Sequence, residues 1–335
     1  MTAPLELTRA QILAFRRRTA HLDERLPPGA ASYRRAAWAG LQDSMPRAAL
    51  LSLHARVAGV EPTALDHPSL VQVWGPRYST YVVAARDRAL FTLGRLPEAA
   101  RARARAEEMA ARAEAILAGR RLADRELGLG NRVRYGATTG TLLIRWDGAR
   151  APLVWAVPRP EVEPRAARRE LARRYLHVFG PATAASFGTW AGVAAREARD
   201  AFDALDLVPV RTPIGDGWIL AKDEAAVRAV GDASSAAAVR LLPSGDTFTL
   251  LQGADRELLV PDARLRAELW TPRVWPGAVL VGGEIAGTWR RAGADLAVQP
   301  WRRLTRAERD AVEAEAAALP LPGLEREIAV RWDGS

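Results

Sequence analysis

The spacing of apolar positions divides the chain into alternating helical and extended stretches. Thr8 and Gln11 have the spacing of a capping box, and Ile12, Leu13 and Phe15 supply an apolar stripe behind it, so a short helix is predicted through Arg18. Beyond the Pro27-Pro28-Gly29 loop, residues 32–41 are helix-like; Gln42-Asp43-Ser44 makes a brief break, and Pro46 opens a second helix to Val57. Two short helices around a tight turn suggest a helix-turn-helix. Another short helix follows Glu61-Pro62, and residues 71–83 alternate as strands do, with Trp74 and Tyr81 as large buried candidates. Helices followed by a β element make the winged-helix plan.

Residues 97–121, rich in Ala, Arg and Glu and stopped by Gly119, read as a solvated connecting helix. Residues 142–157 read as two strands around Asp147-Gly148, a type I′ signature that the continuation Gly148-Ala149-Arg150 can lengthen; this hairpin has the look of a wing. Pro158, Pro160 and Pro164 mark a stiff linker before a helix over 165–179, ended by Gly180-Pro181. A second helix-turn-helix-like pair spans 183–205, and strands around Gly215-Asp216-Gly217 would be its wing. From Val239 the texture is β: 239–251, 256–261, 278–289 with a Gly282-Gly283 hairpin turn, and 295–301, before a last helix over 306–319 and a strand over 325–332. The fold class is therefore α+β: tandem winged-helix (helix-turn-helix) motifs with a β-rich C-terminal domain. The expected divisions are 1–96, 97–164, 165–236 and 237–335.

At 335 residues, 49% hydrophobic and 26% charged, the chain has the composition of packed globular modules and not of a disordered protein. Its 48 basic residues are 47 Arg and the single Lys222. A GC-rich coding sequence accounts for most of the preference for Arg over Lys. It does not account for where the charge lies: 13 basic residues face 8 acidic over 1–100, 17 face 9 over 101–176, and 18 face 22 over 177–335. The first half is a polycation, and a nucleic acid is the expected partner, ahead of a membrane.

Absences narrow the chemistry. There is no Cys, and His21, His54, His67 and His177 never stand at ligand spacing beside a Glu, so neither a metal nor a cofactor is expected. No phosphate loop or nucleophile elbow occurs. The first residues lack a signal-peptide core, and no run of 18 apolar residues is present. These features suggest a cytoplasmic protein. No dimerisation helix is evident, and a monomer is expected.

Several blocks together resemble the AlkZ/YcaQ-like family of winged-helix DNA glycosylases, which act on alkylated and crosslinked DNA. Gly40-Leu41-Gln42-Asp43-Ser44, continuing from Arg47 through Ala-Ala-Leu-Leu-Ser-Leu-His-Ala-Arg56-Val57, is similar to the family's GLQAQ…AALLSLWARV block. Trp74-Gly-Pro-Arg77-Tyr-Ser-Thr-Tyr81 is similar to its W..RGTLH segment. Arg173 to Gly192, Leu241 to Asp246 and Val281 to Arg290 match further blocks in the same order. The resemblance implies the fold and a Gln-x-Gln or Gln-x-Asp pair that positions the water attacking the sugar. Here Gln42 keeps the first position, Ser44 takes the second with Asp43 between them, and Tyr81 replaces the family's His.

Gln42, Asp43 and Ser44 are the candidate catalytic residues. If the turn is extended, Gln42 and Ser44 share one side and Asp43 faces the other. Ser44 is also placed to cap the following helix, and that structural role is the one expected first. Arg47, Arg77, Tyr81, Arg132, Arg134, Arg145 and Arg150 are the candidate DNA contacts, with the hairpin tip at 147–152 placed to probe a groove. Trp146, Trp155, Trp190, Trp270 and Trp289 are expected in the core. Lys222 lies in the acidic stretch, which disfavours a Schiff-base lyase and leaves simple hydrolysis. Two readings stay open: a monofunctional glycosylase for alkylated nucleotides, and a catalytically silent DNA-binding protein.

Overall fold

The computed structural model describes residues 4–148, 150–230 and 238–333. After a short strand β1 (Leu5–Glu6), the capping box forms as expected: the Gln11 amide donates to Thr8 Oγ1 at 3.2 Å and the Thr8 amide to Gln11 Oε1 at 2.9 Å, opening α1 (Arg9–Thr19). Helix α2 (Ala30–Ala36) leads into β2 (Leu41–Gln42), α3 (Ala48–Arg56) and the antiparallel pair β3 (Leu70–Trp74) and β4 (Thr80–Ala84). Then come α4 (Arg88–Thr92), the long α5 (Ala100–Leu117), β5 (Leu122–Ala123), α6 (Val133–Gly136) and the hairpin β6 (Leu142–Arg145) and β7 (Leu153–Ala156). Although α5 reads as solvated, Ala106, Met109, Ala110, Ala113 and Leu117 form a buried stripe at helical spacing.

These strands build one six-stranded sheet in the order β2-β4-β3-β6-β7-β5. Gln72 pairs with Ile144 to join its halves, so the sheet spans the expected division between 1–96 and 97–164. The β6–β7 hairpin closes at Arg145 opposite Leu153, not at a two-residue Asp147-Gly148 turn, so its loop runs over 146–152, of which Ala149 lies outside the described residues.

The next portion contains α7 (Pro164–Phe179), α8 (Ala184–Ala191), α9 (Ala195–Asp203), β8 (Leu207–Thr212), β9 (Gly215–Leu220) and α10 (Glu224–Ala229). Its hairpin turns at Pro213-Ile214, before the expected turn around Gly215-Asp216-Gly217, and Asp216 is already paired opposite Arg211. Strand β1 adds to β8 in parallel, so the N-terminal segment completes a three-stranded sheet more than half the chain away. Helix α7 holds the main core, where Tyr175 stacks on Phe179 at 4.8 Å and Trp190 packs against both rings.

The C-terminal portion is less β than its sequence suggests. Only β10 (Arg240–Leu242) of the 239–251 stretch is a strand, and the apolar run expected as a strand over 256–261 is helix α11 (Asp255–Leu259). Short apolar runs carry too few periods to separate the two states, and here Leu258 packs into the cluster holding Ile12 and Phe15 of α1. Helix α12 (Ala263–Leu269) follows, then β11 (Gly277–Val281), β12 (Glu284–Ala292), β13 (Asp295–Pro300), α13 (Arg306–Ala317) and β14 (Ala329–Trp332). The five strands from β10 to β14 form one sheet in sequence order. The Gly282-Gly283 turn is present, with φ of 60° and 83°. Among the described residues no helix is long and apolar enough to cross a membrane, and no cluster of three metal-ligating side chains occurs.

Candidate functional site

Strand β2 pairs with β4 so that Gln42 stands opposite Tyr81. The Tyr81 ring is buried between two glycines: a Cβ on Gly40 would come within 2.9 Å of Tyr81 Cδ1, and one on Gly75 within 2.9 Å of Cδ2. This slot fixes the ring, and its hydroxyl donates to Gln42 Oε1 at 3.3 Å. Burial pushes the Tyr81 hydroxyl up to about 12, partly offset by Arg77 and Arg95, so it keeps its proton and acts as a donor. A donor facing Oε1 decides which way the Gln42 amide points. On its other side Gln42 abuts Gly245, where a Cβ would stand 3.2 Å from Nε2. Tyr81, expected among the DNA contacts, is 1% exposed and instead orients Gln42.

The turn after Gln42 alternates. Asp43 faces inward and is 3% exposed. Its Oδ1 accepts the Ala49 amide at 3.0 Å and its Oδ2 accepts Gln72 Nε2 at 2.6 Å. Burial raises its pKa to about 6 against those hydrogen bonds. Gln72 in turn accepts the Trp146 amide at 2.6 Å and donates to the Trp146 carbonyl at 3.1 Å. Asp43 thus ties the turn both to the start of α3 and to the base of the β6–β7 hairpin. Ser44 is exposed, and its side chain makes no hydrogen bond among the described residues. It is not the cap expected for the next helix: α3 begins at Ala48, with Arg47 in the left-handed region at φ 65°, and Asp43 reaches that end in its place.

A second support comes from the C-terminal portion. Asp246 is fully buried and holds Arg56 of α3 through two bonds of 2.7 Å, while accepting Ser52 Oγ at 2.6 Å and the Phe248 amide at 2.8 Å. With every oxygen engaged, this pair anchors the Pro243–Asp246 turn, and hence Gly245, beside Gln42. The sequence blocks contain both Arg56 and Asp246, but nothing in their spacing showed that they meet.

The candidate DNA-contacting arginines differ in freedom. Arg132 and Arg150 are exposed and enter no ion pair among the described residues. Arg145 is held by the Asp66 carboxylate and by the Leu65 carbonyl at 3.0 Å, and Arg134 reaches the Tyr78 carbonyl at 3.5 Å. Arg77 and Tyr78 both adopt positive φ, 53° and 58°, a conformation rare for side-chain-bearing residues. The hairpin loop leans on the segment after the Gln42 turn: Gly148, at φ 85°, lies so close that a Cβ would stand 2.7 Å from Pro46 Cα. Arg291 is lowered by burial and then by Arg47, and Arg256 by burial and then by Arg77. Like charges from distant parts of the chain thus lie within electrostatic range of each other. Arg256 and Arg291 went unnoticed in the sequence because their stretch is net acidic. Of the tryptophans expected inside, Trp190, Trp270 and Trp289 are buried; Trp146 and Trp155 are half-buried, the latter beneath Arg121 at 4.5 Å.

A family model described as DNA glycosylase AlkZ-like matches residues 35–320, and the chain belongs to that family. Among solved structures, it is similar to the Streptomyces sahachiroi DNA glycosylase AlkZ, with a TM-score of 0.75 and 19% identity, covering 99% of this chain and 100% of that one. At that identity the likeness speaks for the fold. No curated protein matches the sequence.

Proposed function

We propose that the protein is a monofunctional DNA glycosylase that hydrolyses the N-glycosidic bond of N7- or N3-alkylated or crosslinked purine nucleotides in double-stranded DNA. The observation that carries this reading is the Gln42 amide, held in one orientation by the Tyr81 hydroxyl and bordered by Gly245. The second lone pair of Oε1 remains for a water, and the exposed Ser44 hydroxyl is a second contact for it. Asp43, with both oxygens occupied, supports the turn from behind.

The helix-and-hairpin units serve in this reading as tandem winged-helix motifs that wrap one duplex as a monomer. Arg47, Arg77, Arg132, Arg134, Arg145 and Arg150, joined by Arg256 and Arg291, neutralise backbone phosphates. An alkylated purine carries positive charge, so cleavage of its glycosidic bond returns an electron pair to the ring and needs little acid from the protein. Water bound at Gln42 attacks C1′ as the sugar gains oxocarbenium character, and its proton leaves to solvent. Lys222 is the only lysine and lies on the turn before α10, not among the contacts of Gln42, so no lysine is placed there for a Schiff base and the product is an abasic site.

The departure at Ser44 supports a second reading, a catalytically silent DNA-binding protein. Duplexes carrying N7-methylguanine or a nitrogen-mustard crosslink separate the two. The enzyme leaves alkali-labile abasic sites and no borohydride-trapped adduct; binding without abasic sites makes the protein a silent binder.

A further inference from the structure

A cavity of about 610 Å³ opens between the end of α1, helix α2, helix α7 and the start of α10; Ala39 and Thr247 also line it, but Gln42, Asp43 and Ser44 do not. Arg18, Arg34, Arg35, Arg86 and Lys222 line it, and no Asp or Glu does. Arg18, Arg34 and Lys222 enter no ion pair among the described residues. The neighbouring carboxylates are already engaged: Asp223 by His177 Nδ1 at 2.8 Å, Asp87 by Arg174 at 2.8 Å with Arg86 at 4.0 Å, and Asp23 by Arg17 at 2.8 Å. Arg56 also reaches the wall, but Asp246 neutralises it.

His21 reports the same environment. It sits just past the C-terminus of α1 at φ 54°, a strained backbone for a residue with a Cβ. Its Nε2 accepts Arg35 Nε at 3.0 Å, so the ring is neutral and its proton is on Nδ1. Burial, Arg35 and Arg56 lower its pKa to about 4. Arg173, Arg174 and Lys222 all lie over the ring of Trp38, at 4.9–5.9 Å from its centroid.

We infer that this cavity is a second, non-catalytic anion site that takes a phosphate or diphosphate group. Guanidinium forks converging from separate elements match phosphate oxygens, and the volume suits a small phosphorylated molecule better than a single ion. The group belongs either to a free phosphorylated compound or to the DNA backbone, and the site does not depend on glycosylase activity.

Calorimetric titration of the full chain with sodium pyrophosphate tests it. Wild type shows saturable, salt-sensitive binding that weakens at least tenfold in Arg34→Ala/Lys222→Ala and survives in Lys222→Arg. Gln42→Ala leaves it unchanged. If pyrophosphate also displaces an undamaged duplex and the double variant binds that duplex more weakly, the phosphate is that of DNA; unaltered duplex binding identifies a free ligand. Arg18→Ala, an exposed substitution, replaces the double variant should its circular dichroism show misfolding. The inference is overturned if wild type binds no pyrophosphate, or if the correctly folded variant binds it as tightly as wild type.

Discussion

The buried pair between Arg56 and Asp246 offers the sharpest mechanical test of how this site is held. Asp246→Ala removes a fully buried carboxylate that serves two guanidinium nitrogens, the Ser52 hydroxyl and the Phe248 amide. The Arg56 guanidinium, 2% exposed, is then left in the interior without its counter-charge. Breaking one side of such a pair costs about 3–5 kcal/mol, because the stranded charge keeps its desolvation penalty. For a protein of this size that corresponds to a fall of roughly 4–7 °C in melting temperature. Urea unfolding of wild type, Asp246→Ala, Arg56→Met and the double variant gives the coupling between the two sites. The double variant is expected to be more stable than Asp246→Ala alone, with a coupling of about 2 kcal/mol or more. Glycosylase activity of Asp246→Ala, measured below its unfolding transition, falls as well, since Gly245 is no longer fixed against Gln42. Additive stability effects, or a loss under about 1 kcal/mol, would refute this account of the anchor.

Asp43 makes stability depend on pH in a window set by its raised pKa, about 6 against an ordinary 3.8. Between those values the folded protein holds a proton that the unfolded chain has lost, so stability declines as pH rises from about 4 to 6, by roughly 3 kcal/mol in all. Asp43→Asn removes that slope, and urea midpoints at pH 4–7.5 that run parallel for the two proteins would count against it. Gly75→Ala pushes a methyl into the Tyr81 ring, and Gly40→Ala, at φ 79°, into the rings of both Phe91 and Tyr81; each is expected to cost about 1–3 kcal/mol and to lower activity, and unaltered melting and turnover would show that the slot is not needed. Arg132→Ala and Arg150→Ala each reduce the slope of log affinity against log salt by about 0.9 for duplex DNA, whereas Arg145→Ala, whose charge Asp66 already holds, changes it less; equal effects from all of them would contradict that ranking.

How much of this could be read from the chain depends on how local each determinant is. The α1 capping box and the Gly282-Gly283 turn are set by residues within a few positions, and both stand where the sequence places them. The turn at Pro213-Ile214 and helix α11 were misplaced because packing decides between short alternatives: Leu258 joins a cluster with α1 that no local window contains. The pairing of β1 with β8 is similarly invisible, since a two-residue strand has no pattern of its own. At the site, the Gln42 turn was found by its resemblance, and the opposite sides of Gln42 and Asp43 follow from strand alternation. The partners that give those sides their meaning are Gln72, Gly245 and Asp246, and they converge only through the fold.

Single-turnover formation of abasic sites in an N7-methylguanine duplex by wild type and by Gln42→Ala, with duplex affinity measured alongside, tests the central claim most directly. The account predicts abasic product without strand cleavage by wild type. Loss of the orienting amide should slow the reaction on the order of 10²-fold, while duplex affinity is unchanged. No abasic product from wild type, or an equal rate from Gln42→Ala, would contradict it.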